Sequence, residues 1–205
     1  MQQGCPDGPC KGAVVAVEPS TGRILALVSS PGFDPNLLSS HDLSAQSAAW
    51  QQLRDDPNSP LTNRAISERY PPGSTFKVIT TVAALQNGLT EDEQLTAAPS
   101  IPLPDSTATL ENYGGTPCGS APTASLHEAF ARSCNTAFVE LGLRLGVDAV
   151  RSAAGSFGFD SDPDPIPLQV AESTVGPIPD RAALAMTSIG QKDVSVTPLQ
   201  NALIA

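Results

Sequence analysis

Long apolar runs are missing from these 205 residues. No stretch of about 18 consecutive apolar residues occurs, so no segment reads as a membrane-spanning helix. The first residues also lack the charged, apolar, small-residue progression of a secretory signal. Positive charge is scarce: 11 Lys and Arg stand against 21 Asp and Glu, for a formal net charge of −10. A surface of that sign repels a phosphate backbone, which argues against a nucleic-acid partner. Cysteine is limited to Cys5, Cys10, Cys118 and Cys134, in a spacing that matches no zinc pattern, so neither a metal nor another cofactor is expected. Cys5 and Cys10 flank the turn-forming Pro6-Asp7-Gly8-Pro9, which can bring two sulfurs together. A Cys5–Cys10 disulfide and free thiols both stay open, because four cysteines allow three pairings. Cys134 reads as a small buried residue rather than a reactive thiol.

What the chain does contain is enough length for one ordinary domain with a sizeable core. Two β-rich runs, residues 12–17 and 23–28, flank the turn cluster Glu18-Pro19-Ser20-Thr21-Gly22 and predict an antiparallel hairpin. Both runs are apolar at nearly every position, which predicts a sheet covered on both faces. A polar connector, residues 29–60, is expected to hold one short helix over 43–53. Residues 91–123 are rich in Pro, Thr, Gly and Asp without helical period, and read as loops with a small β element near 108–110. Ser125-Leu126-His127-Glu128 is a capping-box pattern opening a helix through Ala131. After a break at residues 132–135, helices follow over 136–145 and 147–157, then a proline-dense connector over 161–167 and a helix opened by Asp180-Arg181 to Ser188. The chain stops inside an apolar helical pattern, so its ends read as those of an excised piece. Helices in the middle and an isolated hairpin predict an α+β fold whose other strands lie far along the chain.

Pro71-Pro72-Gly73-Ser74-Thr75-Phe76-Lys77 is the chemically informative stretch. Ser74 and Lys77 sit at i and i+3 at a helix start, so the amine can reach the hydroxyl. Lys77 is the only charged residue between Ser74 and Thr90, and the rest of that helix is largely apolar. Burial there disfavours the ammonium form and moves the amine toward the pKa of a usable base. A serine hydroxyl needs such a base to become a nucleophile. The Ser74 N–H, in the first turn, is free for an oxyanion. The plain alternative is a capping Ser74 with Lys77 snorkelling to the surface. Ser133-Cys134-Asn135 lies at the junction of two helices, where a hydroxyl and an amide can both point into a cleft; its plain alternative is a cap and a turn residue.

Ser-x-x-Lys followed by Ser-x-Asn is the ordered pattern of penicillin-binding proteins and serine β-lactamases. Asn63-Arg64-Ala65 and Tyr70 to Lys77 resemble the active-serine region of class B penicillin-binding proteins. Residues 18–26 and 31–36 are similar to that family's opening hairpin and connector, and Gly190-Gln191 with 196–200 to the segment leading to its late core helix. Ser133-Cys134-Asn135 and residues 167–176 resemble the mycobacterial and actinobacterial branch. The likeness spans essentially the whole chain: residues 1–205 as the N-terminal and central part of one transpeptidase domain, 1–10 being a lead-in.

The resemblance implies the penicillin-binding protein and serine β-lactamase-like fold, a helical subdomain plus antiparallel sheet, truncated here before its late strands. It implies Ser74 as acylated nucleophile, Lys77 as its base, Ser133 as proton relay and Asn135 as a substrate ligand. It further implies D-Ala-D-Ala stem peptides of peptidoglycan as substrates, β-lactams as inhibitors and cell-wall synthesis proteins as partners in cell division or shape. The site would face outward from the cell membrane on an N-terminal anchor that this chain does not contain. The family's Lys-Thr-Gly strand, which supplies the second oxyanion donor, does not occur, so weak or absent activity is expected of these 205 residues. Two rivals remain: a non-catalytic penicillin or muropeptide sensor, and a β-lactamase, which needs a deacylating glutamate. Glu172 lies on a stretch similar to the penicillin-binding proteins instead.

Overall fold

The computed structural model describes residues 9–163 and 166–205, which fall into two compact units. The possible Cys5–Cys10 bridge lies outside the described residues, although Cys10 is itself disulfide-bonded.

The first unit comprises the chain up to Arg69 with Ile166–Ala171 and Thr197–Ala202. Its hairpin pairs β1 (Gly12–Val17) with β2 (Ile24–Ser30) in antiparallel register from Gly12↔Ser30 to Ala16↔Ala26, with a bulge at Ala16/Val17. Gly22 closes the turn at φ +71°, where its N–H donates to the Glu18 carbonyl at 2.9 Å. The doubly covered sheet expected from the apolar runs is not found. The sheet has two strands among the described residues, and Val14, Leu25 and Val28 are exposed. Alternate residues face inward: Val15, Val17 and Leu27 pack on Ala65, Ile66 and Leu199. The helix expected over 43–53 is α1 (Leu43–Asp55), started by Asp42, whose carboxylate accepts from the Ser44 N–H at 2.9 Å. α2 (Arg64–Ser67) is a single turn. Arg64 is buried in the structure because the Asn58 and Ser59 carbonyls accept from its guanidinium and Glu68 pairs with its Nε at 3.1 Å.

The second unit, Tyr70–Pro165, Glu172–Val196 and Leu203–Ala205, holds the helices between Lys77 and Thr187 and every residue of the candidate site. A 3-10 turn, Gly73–Phe76, runs directly into α3 (Lys77–Gln86). The stretch expected to be loops contains two small antiparallel pairs. β4 (Ser100–Pro102) joins β5 (Thr109–Glu111), near the anticipated β element. β3 (Gln94–Thr96) joins β6 (Thr123–Ser125), which the sequence reading did not include. β6 leads into α4 (Leu126–Ala131), whose capping Ser125 hydroxyl accepts from the Glu128 N–H at 3.1 Å as the capping-box pattern predicts. α5 (Asn135–Leu145), α6 (Val147–Ser156) and α7 (Arg181–Thr187, capped by Asp180) follow close to their expected limits; the last helix, α8 (Pro198–Ile204), has its residues up to Ala202 in the first unit. α3 packs on α5 and α6, and α5 on α7. One core cluster centres on Phe138, Leu141, Leu126 and Leu95. Another gathers Phe76, Ile79, Val150 and Phe159, with the Phe76 and Phe159 rings edge to face at 5.7 Å.

Candidate active site

The Ser74 turn is built from its neighbours inward. Tyr70 and Val196 exchange backbone hydrogen bonds, each 2.9 Å, which fixes the chain entering the turn. Pro72 supplies a helical φ of −66°, and Gly73 takes a left-handed φ of +57°. Phe76 is fully buried and anchors the turn from below, leaving the Ser74 side exposed. The Ser74 N–H stands among the first-turn donors, which have no partner within the helix. One turn on, Lys77 is 1 % exposed, so its surface-snorkelling alternative is excluded.

The Lys77 amine is the hub of the site. Its Nζ lies 3.2 Å from Ser74 Oγ, 3.0 Å from Ser133 Oγ, 2.7 Å from the Ser133 carbonyl and 2.8 Å from Asn135 Oδ1. The face of Phe138 sits 5.6 Å away. Burial lowers its pKa from 10.5 to about 8, because the ammonium loses hydration that the neutral amine does not need. The neutral amine has two N–H groups and one lone pair. The Ser133 carbonyl and Asn135 Oδ1 can only accept, so both N–H groups point to them. The lone pair is then left for the two hydroxyls, which can donate. This arrangement can take a proton from Ser74 and hold Ser133 within reach of the same proton.

The Ser133 turn is held differently. Ser133 adopts a left-handed φ of +58°, between the end of α4 and the start of α5. Cys134 is disulfide-bonded to Cys118, with Cα atoms 5.9 Å apart. Cys134 is buried, as expected, but the free-thiol alternative fails for it and for Cys118 because the two are bonded to each other. Asn135 donates from Nδ2 to the Glu111 carbonyl at 3.1 Å while Oδ1 takes the Lys77 amine. One N–H of its amide is left for a ligand. Asn112, which the sequence reading did not single out, organises the next residue. Its Oδ1 accepts from the Thr136 N–H at 3.0 Å, and its Nδ2 donates to the Ala98 and Thr116 carbonyls. No local signal marks Asn112, because its partners lie up to 24 residues away. A cavity of about 300 Å³ opens beside Ser133, lined by Asn112, Tyr113, Thr116, Pro117 and Arg132.

The four predicted site residues, Ser74, Lys77, Ser133 and Asn135, therefore converge on one amine from segments 56 to 58 residues apart. A family model described as penicillin binding protein transpeptidase domain matches residues 12–205. The chain is 75 % identical over 205 residues to the peptidoglycan D,D-transpeptidase PbpA of Mycobacterium tuberculosis, covering all of this chain and 42 % of that protein. It is 70 % identical to PbpA of Mycolicibacterium smegmatis with the same coverage. Penicillin-binding protein A of M. tuberculosis, solved as its penicillin G acyl-enzyme complex, superimposes with a TM-score of 0.92. That match has 75 % identity over 98 % of this chain and 46 % of the other. The chain thus spans about two-fifths of the length of the curated relatives it matches. Its helices and antiparallel strand pairs have the penicillin-binding protein transpeptidase fold, as the sequence predicted. With that model matching all but the first 11 residues, the chain belongs to the penicillin-binding protein transpeptidase domain family.

Proposed function

We propose that this chain carries the nucleophile and base of a peptidoglycan D,D-transpeptidase working through a serine acyl-enzyme that β-lactams trap. The supporting observation is a buried amine hydrogen-bonded to two serine hydroxyls with its pKa lowered to about 8. In this reading Ser74 Oγ attacks the penultimate D-Ala carbonyl of a stem peptide while Lys77 Nζ takes its proton. The carbon–nitrogen bond to the terminal D-Ala breaks, and Ser133 passes the proton from Lys77 to the departing amine. The amine of a second stem then attacks the ester, forms the cross-link and returns a proton to Ser74. Asn135 positions the peptide with its remaining N–H. Placement at the outer face of the membrane, and assembly with other wall-synthesis proteins, follow from the substrate and belong to the same proposal.

The relatives named D,D-transpeptidases and the penicillin G acyl-enzyme of one of them support this reading. Labelled penicillin added to the protein as the cell makes it should modify one serine, and Ser74→Ala should abolish the label. An adduct lasting minutes to hours supports a transpeptidase; turnover within seconds points to a β-lactamase. Stable labelling without any exchange of D-Ala for an acceptor amine points to a sensor. Labelling that survives Ser74→Ala sinks the proposal.

A further inference from the structure

The turn that follows α7 lies with its backbone against the turn that bears Ser74. Gly73 N–H donates to the Gly190 carbonyl at 2.9 Å, and the Thr80 hydroxyl of α3 donates to the Ser188 carbonyl at 2.8 Å. Gly190 itself is left-handed at φ +70°. A Cβ at Gly190 would stand 2.2 Å from the Gly73 carbonyl oxygen, 2.8 Å from the Gly73 nitrogen and 2.8 Å from Phe76 Cβ. Those atoms flank Ser74 on both sides. Two are backbone, which cannot swing aside as the end of a flexible side chain can.

We propose that Gly190 is a positioning residue for acyl transfer: the absence of its side chain lets the Ser188–Gly190 backbone seat the Ser74 turn against the Lys77 amine. The inference rests on the acyl-transfer reading above. Relieving the 2.2 Å approach to an ordinary contact of about 3.4 Å requires the Ser74 turn or its seat to move by about 1.2 Å. Ser74 Oγ is 3.2 Å from Lys77 Nζ, so a shift of that size disrupts the hydroxyl–amine contact. Misplacement of about 1 Å at a reacting group costs on the order of 10²-fold in rate.

Gly73 provides the internal control. It too is left-handed, at φ +57°, but a Cβ there meets only Gln191 Nε2 at 3.6 Å, ordinary contact. Alanine at either position bears backbone strain, and only at Gly190 does it also push on the turn. Positioning and loosening are separable by pH. A shifted Ser74 leaves Lys77 buried, so the rate plateau falls while the midpoint stays near 8. A loosened core hydrates Lys77 and moves the midpoint toward 10.5.

The experiment is the pH profile of penicillin acylation for the protein as the cell makes it and for its Gly190→Ala and Gly73→Ala variants. The expected result is a plateau about 100-fold lower for Gly190→Ala, an unchanged midpoint, and a loss below about tenfold for Gly73→Ala. Acylation of Gly190→Ala within about threefold of the parent overturns the inference. So does equal loss in both variants, or a midpoint that climbs toward 10.5. If Gly190→Ala does not fold, Thr80→Val removes the other tie to the seat at nearly constant volume. It should lower the plateau severalfold at the same midpoint, and an unchanged plateau counts against the seat. A parent protein that is not labelled at Ser74 at all marks failure of the acyl-transfer reading instead.

Discussion

Two turns deliver hydroxyls to the Lys77 amine, and they are held by different balances of packing and directed bonds. The Ser74 turn is seated by packing: a buried Phe76 beneath it and glycine backbone against it at Gly190. Backbone hydrogen bonds to Val196 and Gly190 assist the packing, no disulfide restrains the turn among the described residues, and its geometry depends on the absence of one methyl group. The Ser133 turn is tied by directed bonds: the Cys134–Cys118 disulfide, Asn135 to the Glu111 carbonyl, and the Asn112 side chain beneath Thr136. Packing fixes position through many weak contacts and fails when volume is added. Directed ties fail when one partner is removed. The two turns should therefore be broken by different kinds of substitution, although they serve one amine.

The largest effect should come from Lys77→Ala, which removes the hub of both turns. Loss of a general base costs typically 10²–10⁴ in rate, so Ser74 acylation by penicillin should fall by about that range. An acylation rate within tenfold of the parent would mean that another group activates Ser74. A smaller effect separates the turns. Converting Cys118 and Cys134 together to serine unties the Ser133 turn alone. The bridge closes a separation of 16 residues, for which chain entropy predicts about 3 kcal/mol of stability. Chemical denaturation should record that loss, while acylation of Ser74 should fall less than in Lys77→Ala. Equal loss of acylation in the two would show that the turns are not independently held.

Local features carried most of what was legible beforehand. The Ser125 and Asp180 caps, the Gly22 turn and the i, i+3 spacing of Ser74 and Lys77 are short-range patterns, and each has its expected counterpart in the structure. The β3–β6 pair was not legible, because Gln94 meets Ser125 across 31 residues and three-residue strands have no period to read. Apolar runs misled at the hairpin: Val14 and Leu25 are apolar yet exposed. Gly190 and Asn112 illustrate the remaining limit. A glycine needed for close backbone approach and an asparagine bonding to distant carbonyls leave no mark in their own neighbourhoods. The Cys118–Cys134 pairing stayed undecided for the same reason, being a matter of where two loops meet.

The pH dependence of Ser74 acylation tests the role given to Lys77 most directly. A base with a pKa lowered to about 8 is neutral in about one molecule in ten at pH 7. Below the midpoint each pH unit multiplies the neutral fraction about tenfold, and above it the fraction saturates. Acylation by a neutral β-lactam, followed from pH 5.5 to 10.5, should rise to a midpoint near 8 and then level off. A rate that is flat across that range, or still rising at 10.5, would contradict the assignment of the buried amine as the base that activates Ser74.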